Sequence, residues 1–159
     1  MNPKSTKTNV VRFLEQRGID FETLEYDVSE KIPSGVEVAR QVGLCEDEVF
    51  KTLVTRGASG GYYVFVIPVA ASLNLKKAAG ASGEKSIEMI RQAELLPLTG
   101  YIHGGCSPIG MKKKFPTFFA EEIILIERIA VSAGRPGLQI RLSPGELVRA
   151  VDGVITELI

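Results

Sequence analysis

A chain of 159 residues with 45% hydrophobic side chains can bury one sizeable core and has little room for a second. Its 19 basic and 19 acidic residues cancel, so a nucleic-acid partner must be met by a local basic patch rather than by the whole surface. One histidine, His103, and two cysteines, Cys45 and Cys106, leave too few ligands for a structural zinc site and make no disulfide framework.

The two free thiols fit a reducing cytosol. The first seven residues carry no apolar run like that of a signal peptide. The longest apolar stretch, near residues 62–71, falls well short of the roughly 20 residues a membrane span needs. A cytoplasmic protein with no membrane partner, no metal and no cofactor is expected.

In chain order, the pattern first predicts a helix over 8–17. Val10, Val11, Phe13 and Leu14 form its apolar face, and Gly18 ends it in the left-handed conformation. Residues 19–26 read as a short strand. Ser34-Gly35-Val36-Glu37 matches a capping box, so a helix should run from it to about Gln41, with Gly43 as its stop. Residues 49–56 and 62–69, rich in β-branched and aromatic side chains, flank the glycine-rich stretch 57–61 and predict a hairpin. Asn74 can cap a helix through 76–79, ended by Gly80. Residues 91–96 read as another short helix.

Residues 101–103 then start a strand that enters a glycine turn. Residues 125–131 and 138–142 read as strands joined by 132–137. Ser143-Pro144-Gly145-Glu146 is a second capping box, with proline at the favoured first helical position. Strands and helices interleave without regular crossovers. The expected fold is a mixed α/β single domain over 1–159, with a curved, barrel-like, mostly antiparallel sheet flanked by helices.

Three segments could carry chemistry. Lys51 lies in the apolar run Val49-Phe50-Lys51-Thr52-Leu53, and an ammonium avoids full burial unless paired. It either guards a strand edge and snorkels to water, or serves a site. On a strand, Lys51 and Leu53 share one face, Phe50 and Thr52 the other. The second segment, residues 100–110, holds four glycines and a proline. Such turns can aim several N–H groups at an oxyanion, a carboxylate or a phosphate, or can be plain surface loops. Cys106 and Ser107 in it would need a base beside them to act as nucleophiles, and His103 is either that base or a packed structural group. The third, Met111-Lys112-Lys113-Lys114-Phe115, is a positive patch for phosphates or a solvated face. Lys76, Lys77 and Arg135 could extend it.

Order, spacing and residue type together resemble the YbaK-type aminoacyl-tRNA deacylases, the family that includes the editing domain inserted in bacterial prolyl-tRNA synthetases. The resemblance is carried by Val49-Phe50-Lys51-Thr52-Leu53, by Thr99-Gly100-Tyr101 with Gly104-Gly105-Cys106-Ser107-Pro108-Ile109-Gly110, and by Val131-Ser132-Ala133-Gly134-Arg135-Pro136-Gly137-Leu138. It spans the first helix to about Gly153 and looks nearest to the free-standing branch that clears Cys-tRNA(Pro).

The resemblance implies trans-editing: hydrolysis of a mischarged aminoacyl ester at the 3′ end of tRNA, without metal, by the substrate's own thiol or a positioned water. Lys51 matches the functional lysine, Thr52 its neighbour and Tyr26 an aromatic at the pocket wall. Gly104, Gly105, Ser107 and Pro108 match the glycine-turn side of the site, and Cys106 among them is a further substrate-binding candidate. The implied partner is the aminoacylated end of tRNA, with prolyl-tRNA synthetase as a second candidate. Two departures bear on the amino acid cleared: Gln139 stands where close relatives carry an acid, and position 106, often aliphatic, is cysteine. Alternatives are clearance of Ala- or Ser-charged tRNA, a non-catalytic module that binds tRNA or a synthetase, and a thiol-dependent hydrolase or redox sensor built on Cys106.

Overall fold

The computed structural model describes residues 7–159. Local signals set most of its first half. Helix α1 (Asn9–Gln16) starts where the Thr8 hydroxyl accepts the Val11 N–H at 3.2 Å, and it buries Val10, Val11 and Leu14. Strand β1 (Phe21–Glu25) follows. Helix α2 (Gly35–Val42) has the predicted reciprocal cap: Glu37 N–H donates to the Ser34 hydroxyl and Ser34 N–H to the Glu37 carboxylate, both at 3.2 Å. Gly43 ends it at φ 75°. Strands β2 (Phe50–Gly57) and β3 (Tyr62–Pro68) form the predicted hairpin.

Beyond the hairpin, several expectations need correction. Helix α3 (Leu75–Ser82) is capped by Asn74 as predicted, but it runs through Gly80 and ends at Gly83, φ 75°. Packing of Ala78 and Ala79 against the core carries the helix past a residue that only weakens it. Strand β4 (Ile87–Met89) was not expected. Helix α4 (Gln92–Thr99) continues beyond Leu96, with the Thr99 hydroxyl donating to the Leu95 carbonyl at 2.7 Å and Gly100 closing it. Residues 101–103 form no strand. Among the described residues no strand pairs with them, and they turn on themselves through Gly105 N–H to the Ile102 carbonyl at 2.9 Å.

Strand β5 (Thr117–Ala120) is also unexpected, and 121–125, partly assigned to a strand, is a 3₁₀ turn. Strands β6 (Ile129–Ser132) and β7 (Leu138–Leu142) follow as a hairpin. Helix α5 (Pro144–Ala150) does begin with proline, but Ser143 makes no side-chain cap, and Glu146 turns instead to Arg149 at 2.7 Å. A short strand β8 (Val154–Thr156) completes the chain.

The strands form two sheets. One is three-stranded and antiparallel, in the order β1-β7-β6; the other is five-stranded, in the order β4-β2-β3-β5-β8. The β3/β5 and β5/β8 pairs are parallel and the remaining ladders antiparallel. The sheets meet at one isolated bridge, Val49 to Ala130, and do not close on each other, so the mixed α/β fold is not a closed barrel. A core of Phe65, Phe119, Ile67, Ile109, Ile140 and Leu147 joins both sheets and the helices. Each such side chain contributes about 2 kcal/mol by leaving water. Among the described residues no helix is long and apolar enough to cross a membrane.

This topology leaves a gap. Strand β4 pairs with residues 55–57 of β2, so among the described residues no strand ladder covers residues 50–53 on that side. The start of β2 therefore offers a strand edge to the space beside the β6/β7 hairpin.

Candidate active site

A cavity of about 240 Å³ occupies that space. Residues 50–53 of β2 all border it. It wraps the open strand edge instead of lying on one face, which is why Lys51 and Thr52 reach it together despite pointing to opposite sides. Ser132 and Gln139, directly paired across β6 and β7, border it from the other sheet. The start of α2 closes a third side with Ser34 and Gly35. Gly35 fits there because a Cβ would lie 2.6 Å from the Val69 side chain. The glycine turn brings His103, Gly104 and Cys106 to the same space.

Lys51 is half-buried and has no hydrogen-bond or ion-pair partner among the described residues. Burial lowers its pKa, because a low-dielectric surrounding disfavours the ammonium. Two more groups in the cavity lack partners. Gln139 is only 6% exposed, and its Oε1 is buried with no donor; the Thr52 Oγ1 is buried in the same state. Buried polar atoms without partners are costly and uncommon in folded proteins. A free ammonium, a free amide oxygen and a free hydroxyl around one cavity suit a polar ligand carrying both donors and acceptors.

Of the expected site residues, Tyr26, Lys51, Thr52, Gly104 and Cys106 border the cavity. Tyr26 is a wall residue; its phenol donates to the Gly104 carbonyl over a long 3.5 Å. The other three do not border it. Gly105 is buried behind the turn, where a Cβ would fall 2.7 Å from Pro136 Cδ and 2.8 Å from Arg135 Cα. Its N–H is already spent on Ile102, so it cannot serve an oxyanion. Ser107 is fully buried, and its hydroxyl accepts the Ile109 N–H at 3.3 Å. Pro108 borders a separate groove. These three shape the turn; Gly104 and Cys106 are its cavity-facing members, and their N–H groups make no backbone hydrogen bond among the described residues.

The thiol of Cys106 is pushed up to about 12 by burial, so it stays protonated at neutral pH and is a poor nucleophile. That weighs against a thiol-dependent enzyme. Cys106 instead forms a small wall. Ser34, Ser132 and Gln139 join the site beyond the expected residues: the sequence marks Ser34 as a helix cap, Ser132 as part of the motif 131–138 and Gln139 as a departure, and none of them as a site residue. Among the described residues no group of three or more His, Cys, Asp or Glu could hold a metal ion.

Residues 29–150 match the aminoacyl-tRNA editing domain, and the chain belongs to that family. It is 45% identical over 152 residues to EbsC of Enterococcus faecalis, a candidate Cys-tRNA(Pro)/Cys-tRNA(Cys) deacylase, covering 96% of this chain and 93% of that one. Two crystal structures share the fold. One, of a candidate trans-editing enzyme for prolyl-tRNA synthetase, superposes with a TM-score of 0.81 at 25% identity, over 96% of this chain and 98% of that one. The other, hypothetical protein APE2540, gives 0.84 at 27%, over 95% and 99%.

Proposed function

We propose that residues 1–159 act as one editing domain that deacylates mischarged tRNA in trans, with Cys-tRNA(Pro) as the principal substrate. The observation that carries this reading is the single cavity shared by the unpaired Lys51 amine, the Gly104 turn and two unpartnered polar atoms. An aminoacyl ester is already activated, so the site needs to orient it and stabilise charge on its carbonyl oxygen. The α-ammonium offers the donors that Gln139 Oε1 and Thr52 Oγ1 lack. The free N–H groups of Gly104 and Cys106 meet the carbonyl oxygen as it gains charge. Lys51 polarises the ester or holds the terminal phosphate beside it.

No protein nucleophile is required: the substrate's own thiol or a held water attacks the carbonyl, and the ribose oxygen leaves with a proton. At about 240 Å³ the cavity is smaller than sites that enclose a whole drug-sized ligand, which suits an aminoacyl group with its adenosine outside. A small pocket excludes larger side chains well and smaller ones poorly. Alanine and serine esters are therefore the next candidates. The relative named for Cys-tRNA(Pro) and Cys-tRNA(Cys) supports cysteine first. The protein would work in the cytoplasm, with prolyl-tRNA synthetase as the source of its substrate.

The test is a deacylation panel: Cys-, Ala-, Ser- and Pro-charged tRNA(Pro), with Cys-tRNA(Cys). Cysteine release well above the spontaneous rate is expected, with prolyl ester spared. Protection of every ester without hydrolysis would instead identify a binding module.

A further inference from the structure

The turn that brings Gly104 and Cys106 to the cavity does not end there. From Pro108 onward it lines a second groove, of about 290 Å³, against α1 and α5. Cys106 borders the cavity and Pro108 borders the groove, with only Ser107 between them, so their Cα atoms lie at most about 7 Å apart. One turn therefore helps to build both.

The groove is charged in one sense. Arg17, Lys113, Lys114 and Arg149 line it against a single lining carboxylate, Asp152. In a chain with equal numbers of acids and bases this is a local excess of positive charge. Two of the four cations are partly neutralised: Lys114 pairs with Asp152, and Arg149 with Glu146. Lys113 has no acidic partner among the described residues. The Arg17 guanidinium lies over the Phe13 ring at 4.3 Å and makes no ion pair among them, although its charge also reaches Asp152 and, behind Lys114, helps to lower that carboxyl's pKa. Both side chains are exposed. Cations from three separate elements, none of them buried, suit an extended polyanion better than a single enclosed anion.

We infer that this groove takes the phosphodiester backbone of the tRNA acceptor arm while the 3′ end occupies the cavity. The inference rests on the deacylase reading above. It adds the surface that holds the RNA, and it gives the run 111–115 a role that the cavity does not use. Contacts of this kind are read as salt-dependent affinity, with no base preference.

The test compares Arg17→Glu/Lys113→Glu with wild type on two substrates: Cys-tRNA(Pro), and 3′-O-cysteinyl-adenosine 5′-monophosphate, which lacks the arm. The double variant should raise KM for the tRNA at least tenfold and reduce the slope of log affinity against log salt by about 2, roughly one for each lost contact. Turnover of the small ester should stay unchanged. Arg17→Lys/Lys113→Arg should restore tRNA affinity. An active wild type whose tRNA KM and salt slope do not change in the double variant overturns the groove assignment and leaves the deacylase reading intact. Equal loss on both substrates also overturns it, because the effect would then reach the cavity. Failure of the wild type on both substrates removes the deacylase reading itself.

Discussion

Tyr26 and Gly104, 78 positions apart in the chain, meet at the cavity wall, where the phenol donates to the glycine carbonyl at 3.5 Å. The same tyrosine is tied to the turn between β6 and β7 by its backbone N–H, which donates to the Gly137 carbonyl at 3.0 Å. A bond of 3.5 Å lies outside the strong range, so the ring, more than the hydroxyl, does the holding. Tyr26→Phe should therefore keep kcat/KM within about threefold, well under 1 kcal/mol. Tyr26→Ala removes the wall and should cost at least tenfold. Steady-state deacylation of Cys-tRNA(Pro) checks both, and equal losses would make the hydroxyl the working part.

Lys51 should be essential to activity and dispensable to the fold. Lys51→Ala should abolish deacylation with an unchanged circular dichroism spectrum. Its pKa is lowered in the folded chain by burial, so the sign of its stability effect is unfavourable. At neutral pH the amine is charged in both states, and the fold carries the cost of desolvating it. The cost fades as pH rises through the folded value towards the ordinary 10.5, where the amine sheds its proton. Lys51→Met should thus melt no lower than wild type at pH 7, and the difference between the two should shrink at alkaline pH. A clear drop in Tm would mean that Lys51 has a structural partner.

Cys106 should react slowly. At pH 7.5 a thiol reagent should label the exposed Cys45 first and Cys106 only slowly or on unfolding, because burial keeps its proton on. Cys106→Ala should retain activity within a few-fold and widen the range of side chains accepted. An inactive Cys106→Ala enzyme with rapid labelling of Cys106 would point to a protein nucleophile.

Gln139 should act on substrate affinity. Removing an acceptor that meets a charged donor costs about 1.5–3 kcal/mol, so Gln139→Leu should reduce kcat/KM by roughly ten- to a hundredfold. An N-acetylated Cys-tRNA, which has no ammonium to offer, should be a poor substrate for wild type and should lose little more in the variant. If Gln139→Leu hydrolyses Cys-tRNA(Pro) at the wild-type rate, the ammonium binds elsewhere.

Gly105→Ala should destabilise the domain. The new methyl would press on Pro136 and on the Arg135 backbone at under 3 Å, and backbone cannot swing aside as a flexible side chain can. A loss of about 1–3 kcal/mol is expected, seen as a lower Tm and denaturant midpoint. Activity should fall with it, as the turn that presents Gly104 is displaced.

The sequence was most readable where structure depends on near neighbours. Ser34, Gly43 and Asn74 each cap a helix as read, since a cap is a bond between residues three or four apart. The β2/β3 hairpin was equally plain, because its glycine-rich turn and both strands are contiguous. The motifs around Lys51 and Gly104 carried the family resemblance. Strands β4, β5 and β8 escaped notice: each is three or four residues long, and its pairing lies with a partner far off in sequence. The strand expected at 101–103 failed for the converse reason, having strand-like residues and no partner.

Residue chemistry alone therefore determined which segments could be helices or hairpins, and that a lysine and a glycine turn were the groups to watch. The tertiary structure decided which members of those motifs meet. It turned Gly104 and Cys106 to the cavity, buried Gly105 and Ser107 behind them, and brought Ser34 and Gln139 in from elements that no spacing rule connects. The reason is that a cap or a turn is settled by bonds a few residues long. A cavity is the space left over when distant surfaces pack, and here it exists because β4 stops short of residues 50–53 and the β6/β7 hairpin approaches without pairing there.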